Sequence, residues 1–177
     1  MNRLRFLLLA LLALPAAGCG SDEPTESDYL SVVRQTVRFA EADARKAAVP
    51  GSATGPLLVD VKSFRGGSLR ATGSLIDLDR VSKSIDRPFR ATVPDSSFNC
   101  VTLELGPSCW VPKNGVFVHL NLASRAPQQI TMNVTTTTTA SNFIPPVLCD
   151  RAYRLEFVKG TKGGEWVLQE KQLVKSC

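Results

Sequence analysis

Residues 148–176 decide the fold: "LCDRAYRLEFVK" at 148–159, "GTKG" at 160–163 and "GEWVLQEKQLVKS" at 164–176. Two strand-like runs enclose a glycine-rich turn, which reads as the clearest β-hairpin in the chain. Working back from it, "QQITMNVTTTTTAS" (128–141) puts Ile130, Met132, Val134, Thr136 and Thr138 on one face of a strand. "VFVHLNLA" (116–123) follows the "PKNG" turn and aligns Val116, Val118, Leu120 and Leu122 in the same way. A period of two is the signature of a pleated strand with one buried face. "SFNCVTLEL" (97–105) reads as a further strand. "LLVDVKSF" (57–64) and "SLRATGSLID" (68–77) flank Arg65-Gly66-Gly67 as a second hairpin. Leu78, Val81 and Ile85 suggest a short helix over 77–86.

Further upstream the period lengthens. In "SDYLSVVRQTVRFAEADARKAAVPG" (27–51), Leu30, Val33, Val37, Ala40, Ala44 and Ala47 recur at spacings of three and four. That draws one apolar stripe on a helix over 28–48, with Val32 and Phe39 widening it. Thr25 with Asp28, or Ser27, caps its start, Arg45 and Lys46 suit its end, and Pro50-Gly51 stops it. One helix followed by about seven strands predicts an α+β fold: an N-terminal amphipathic helix packed on a curved, mainly antiparallel β-sheet. The closing "YRLEFVKGTKGGEWVLQEKQLV" resembles the terminal hairpin of cystatin-like and nuclear-transport-factor-like folds, which also curl a bent sheet around a helix. That resemblance implies a fold and carries no catalytic residue.

The first residues, "MNRLRFLLLALLALPAAGC", set Arg3 and Arg5 before the apolar run Phe6–Leu14, then small residues. This is the layout of a secretory signal. Even Phe6–Gly18 falls short of the roughly 20 apolar residues that a spanning helix needs. Ala16-Ala17-Gly18-Cys19 resembles the lipobox of bacterial lipoproteins, although that family favours Leu where Ala16 stands. The resemblance implies diacylglycerol on the Cys19 sulfur, cleavage after Gly18 and acylation of the new amine. Residues 1–18 are then a signal peptide, 19–27 a lipid-anchored flexible linker ("GSDEPTES" at 20–27), and 28–177 a single domain. Two or more acyl chains anchor a protein stably, each buried methylene contributing about 0.8 kcal/mol. By the same resemblance, Gly20 in place of Asp points to the outer membrane, facing the periplasm.

The chain of 177 residues carries a formal charge of +5, and removing Arg3 and Arg5 leaves +3. Acids and bases alternate without a basic run, which argues against nucleic acid as a partner. The five cysteines divide into Cys19 and four others. In an oxidising compartment Cys100, Cys109, Cys149 and Cys177 read as two disulfides, with three pairings open. Proximity favours Cys100 with Cys109, around a Gly106-Pro107 turn, and Cys149 with Cys177, clasping the last hairpin. A four-thiolate metal site is the rival, but the close pairs typical of zinc are absent from the spacing.

Chemistry is sparse. His119, the sole histidine, falls opposite the Val/Leu face of its strand, where a general base is conceivable but a solvated side chain is the ordinary finding. Nucleophile-elbow, zinc-helix and P-loop patterns do not occur. "DLDRVSKSIDRP" has Ser82 and Pro88 where a calcium loop needs Gly and Glu, so Asp77 and Asp79 read as helix caps. Glu156, Glu165 and Glu170 lie in the last hairpin without a spacing that converges them. Thr135–Thr139 reads as strand propensity, and Trp110 and Trp166 as packing residues. Asn133-Val134-Thr135 fits a glycosylation pattern that conflicts with the lipobox. No cofactor or metal is expected. The expectation is a lipid-anchored cell-envelope protein, held on the membrane through Cys19, acting as a non-enzymatic binding or structural module for an unidentified envelope partner. The alternative is a small-molecule binder or hydrolase with a pocket in the curved sheet.

Overall fold

Thr25 starts the first helix, α1 (Glu26–Ala47), with a reciprocal pair of hydrogen bonds. Its Oγ1 accepts from the Asp28 amide at 3.3 Å, and its own amide donates to Asp28 Oδ2 at 2.8 Å. This capping box satisfies two backbone donors that a helix start leaves open. The computed structural model describes residues 23–60, 83, 85, 90–92, 98–104, 106–140, 146–161 and 164–177. The signal segment, Cys19, the Arg65-Gly66-Gly67 hairpin turn and strand 68–77 lie outside the described residues, as do Asp77 and Asp79. So does nearly all of the helix expected over 77–86.

The buried face of α1 is broader than the expected stripe. Tyr29, Val32, Val33, Val37, Ala40 and Ala44 are buried, whereas Leu30 is only partly covered and Ala47 is exposed. The helix is therefore turned toward Tyr29 and Val32, and its widened face takes in Thr36 and Glu41 besides the capping Asp28. Thr36 is tolerated because its Oγ1 donates back to the Val32 carbonyl at 2.9 Å. Glu41 is tolerated because Arg45 closes on its carboxylate at 2.7 Å.

Among the described residues eight strands follow: β1 (Leu57–Asp60), β2 (Arg90–Thr92), β3 (Asn99–Leu103), β4 (Gly106–Trp110), β5 (Val116–Ala126), β6 (Gln129–Ala140), β7 (Val147–Lys159) and β8 (Trp166–Lys175). Six of them form a curved sheet in the order β2-β1-β5-β6-β7-β8, and β3 and β4 make a separate two-stranded ribbon. The fold is thus α+β and dominated by a mostly antiparallel sheet. β1 departs from the antiparallel expectation, because it runs parallel to both β2 and β5. All four of its residues are buried, the usual condition of a parallel strand covered on both faces.

One face of the sheet meets α1. Leu57, Val59, Val116, Val118, Leu120, Leu122, Ile130, Met132, Val134, Leu155 and Phe157 join the helix residues in a single apolar cluster. The face residues expected on β5 and β6 are buried, Thr136 and Thr138 included, and Phe117, Thr131, Thr137 and Thr139 of the other face are buried as well. On the opposite face a smaller cluster of Leu58, Val111 and Phe117 is flanked by Phe98 and Leu148. The Phe98 and Phe117 rings meet edge-on with centroids 5.1 Å apart. Leu103 pairs with Gly106 in the ribbon and Thr102 with Pro107, so Gly106-Pro107 belongs to β4 and not to a turn. Proline is acceptable there because a two-stranded ribbon leaves each outer edge without a ladder.

Candidate functional site

β1 and β5 bring the sole histidine against an acid. His119 Nδ1 lies 2.7 Å from Asp60 Oδ2, with the Asp60 side chain 2% exposed and that of His119 47% exposed. The pairing arises because Val59 stands beside Val118, so the next residue of each strand turns to the face away from α1. His119 is therefore on the polar face, as its alternation implied. Its buried carboxylate partner was missed, since a parallel strand 59 residues upstream leaves no local signal. Thr135 is its neighbour across β6, and Asn121 and Asn133 pair one row further along. A carboxylate on Nδ1 fixes ring orientation and tautomer, the role an orienting acid plays beside a general base.

A second polar centre joins α1 to the last hairpin. The Trp166 indole Nε1 donates to Asp28 Oδ1 at 2.7 Å, and Lys159 Nζ lies 3.4 Å from Asp28 Oδ2. Burial pushes the Asp28 carboxyl pKa up. The Thr25 amide, Trp166, the Thr25 hydroxyl and Lys159 outweigh that, and the net shift is downward. Gln35 Nε2 also donates to the Trp166 carbonyl at 2.7 Å. At the other end of α1, Asp43 Oδ2 accepts from Arg151 Nε at 3.0 Å and from the Tyr153 hydroxyl at 2.8 Å. Burial and the bond to Asp43 raise the Tyr153 pKa against the lowering effect of Arg151. Both centres are structural in form: each carboxylate accepts from side chains of the sheet, Asp28 from Trp166 and Lys159 and Asp43 from Arg151 and Tyr153.

The disulfides join Cys100 to Cys109 across β3 and β4, and Cys149 to Cys177 across the ends of β7 and β8. Glu156 and Glu170 face each other in the β7–β8 register, while Glu165 stands in the turn. Glu156 is engaged by Gln129 and Arg154, so the pair forms a surface row and not a cleft. The threonine run divides by face. Thr139 Oγ1 accepts from the Val111 amide at 2.9 Å, and Thr137 Oγ1 donates to Asp150 at 2.8 Å. Trp166 is buried in the main core and Trp110 is partly covered. Among the described residues no group of three or more His, Cys, Asp or Glu is placed to hold a metal, and no helix is long and apolar enough to cross a membrane.

Among the described residues, two depressions bear on the question. One is lined by Arg38, Glu41, Ala42, Arg45 and Ile85, the other by residues including Glu23, Thr25, Gln128, Lys159 and Thr161. Neither reaches His119. No protein-family model matches the chain, and neither a curated protein nor a solved structure matches it.

Proposed function

We propose that this chain is a lipid-anchored cell-envelope protein whose domain is a non-enzymatic binding or structural module. Packing carries the reading: Val32, Val33, Val37, Ala40 and Ala44 of α1 meet the inner sheet face in one continuous apolar cluster, where a ligand-binding fold of this shape would keep a cavity. In this reading α1 is the N-terminal amphipathic lid of the sheet. Cys19 supplies the anchor, and the polar run 20–27 links it to the domain. The lipobox resemblance further assigns the chain to the bacterial outer membrane, facing the periplasm. Fractionation tests this. Expressed wild-type protein is expected in the membrane and in the detergent phase on phase separation, and Cys19→Ser in the aqueous phase. Equal partition of the two would reject the anchor.

The His119–Asp60 pair favours the second reading, a small-molecule binder or hydrolase, but on the face away from α1. Wild-type and His119→Gln protein would be compared against activated ester and phosphoester substrates. Turnover by wild type that the substitution abolishes would support a hydrolase. Equal, background rates in both would leave the pair a structural contact.

A further inference from the structure

Among the described residues β8 ends the six-stranded sheet, and every residue from Gln169 to Cys177 is exposed. An uncovered edge offers a row of backbone donors and acceptors to another strand. β8 is ten residues long and carries no proline, so nothing in it interrupts such a ladder. Its sequence is self-complementary. Val167-Leu168-Gln169-Glu170 is followed by Lys171-Gln172-Leu173-Val174, the same apolar and amide residues in reverse order about a Glu–Lys centre. On a regular strand this pattern could not be used, because Leu168 and Leu173, five residues apart, would point to opposite faces. The extra residue at Gln169 removes the mismatch. Leu168 stands opposite Phe157, Lys171 opposite Leu155 and Leu173 opposite Tyr153, and those three β7 residues all belong to the cluster under α1. Glu170 and Gln172 stand opposite Glu156 and Arg154, on the other face.

We propose that this chain forms a two-fold dimer through β8, two copies of the sheet joining edge to edge about Lys171. The axis runs normal to the sheet, so each face stays on its own side and the contact is isologous. Toward α1, Leu168 meets Leu173 of the second copy. An apolar row then runs from Phe157 and Leu168 into Leu173 and Tyr153 of the second copy, once on each side of the axis. One step further out, Val174 of the second copy comes beside Val167. These contacts cover Val167, Leu173 and Val174, which are 52%, 48% and 66% exposed in the single chain. On the other face charge is complementary. Within one copy Glu170 stands opposite Glu156, an unfavourable like-charge pair. Across the junction Glu170 meets Gln172 of the second copy, with Arg154 of that copy next in the row. Lys171 meets its own counterpart at the axis, but its Nζ lies 5.7 Å from the Phe39 ring centroid, drawn back over its own helix. The symmetry sets both copies of α1 on one side of the joined sheet, which suits two anchors in one membrane, and the pairing does not depend on the lipid.

The test uses full-length protein in mild detergent. Sedimentation equilibrium of the wild type is expected to show a concentration-dependent dimer. With a photo-reactive benzophenone amino acid at position 174, illumination is expected to give a covalent dimer whose new bond falls in the 166–168 stretch of the second copy. The same amino acid at position 101, exposed on the separate β3–β4 ribbon, is expected to give none. Leu173→Lys sets a charge into the apolar row on both sides of the axis and is expected to weaken association at least about tenfold. A monomer at every concentration, a covalent bond to any other segment, or association untouched by Leu173→Lys would overturn the pairing. The position of the photo-crosslink decides the matter even if the lysine variant folds poorly.

Discussion

The indole nitrogen of Trp166 and the carboxylate of Asp28, 138 residues apart in sequence, meet at 2.7 Å and lock the first turn of α1 to the start of β8. The same carboxylate closes the helix cap and approaches Lys159. One residue thus serves as helix cap, tryptophan acceptor and ion-pair partner.

Replacing Asp28 with Ala is expected to destabilise the domain by about 2–4 kcal/mol, a lost cap added to a buried indole donor left without its acceptor. Equilibrium denaturation measures it. Trp166→Phe, which removes the donor and keeps most of the ring, is expected to cost less, and the two substitutions should be non-additive.

Acid should expose the same site. The folded-state pKa of Asp28 is lowered. Its stabilisation is therefore complete above the unfolded value of about 3.9 and is lost as pH falls through the folded one. Wild-type stability is expected to fall below about pH 4 more steeply than that of Asp28→Asn. Parallel pH profiles for the two proteins would show that Asp28 is not the titrating group.

Asp43, Arg151 and Tyr153 clamp the far end of α1 to β7. Tyr153→Phe removes only a hydroxyl and is expected to cost about 1 kcal/mol. A double-mutant cycle with Asp43→Asn should give a coupling of about 0.5–2 kcal/mol. Zero coupling would mean that the hydroxyl is equally well served by water.

Cys149–Cys177 closes a separation of 28 residues and Cys100–Cys109 one of nine. Chain-entropy reasoning gives roughly 3–4 kcal/mol for the longer loop and roughly 2–3 for the shorter. The Cys149→Ser/Cys177→Ser protein should lower the thermal midpoint more than the other pair, with hydrogen exchange rising first in β8. That strand ends the sheet, and its residues beyond Leu168 are exposed.

Thr139 accepts from the Val111 amide, fixing the segment before β5 onto β6. Thr139→Val keeps the shape and orphans a buried donor, at a cost of about 1–3 kcal/mol by thermal or chemical denaturation. A neutral result would mean that Val111 finds another acceptor.

Legibility in the sequence followed the range of the interactions. β5 and β6 were readable because alternation records a buried face, with Ile130, Met132, Val134, Thr136 and Thr138 falling on it together, and β7 and β8 were readable from the glycine-rich turn between them. The cap at Thr25 and Asp28 was readable because its partners are three residues apart. β1 was misread as antiparallel, since a strand buried on both faces carries no alternation and its partners lie far along the chain. For the same reason Asp60 was invisible as the partner of His119, and Asp28 as that of Trp166. Helix rotation was misjudged because Tyr29 and Val32 were not given priority over Leu30, and only the facing sheet settles which arc is covered.

Intact-mass analysis of the mature protein, with fragmentation of its first peptide, tests the lipid anchor. The mature chain is expected to begin at Cys19 and to carry diacylglycerol on sulfur and a further acyl group on nitrogen. A chain beginning elsewhere, or an unmodified Cys19 thiol at a free N-terminus, would contradict it.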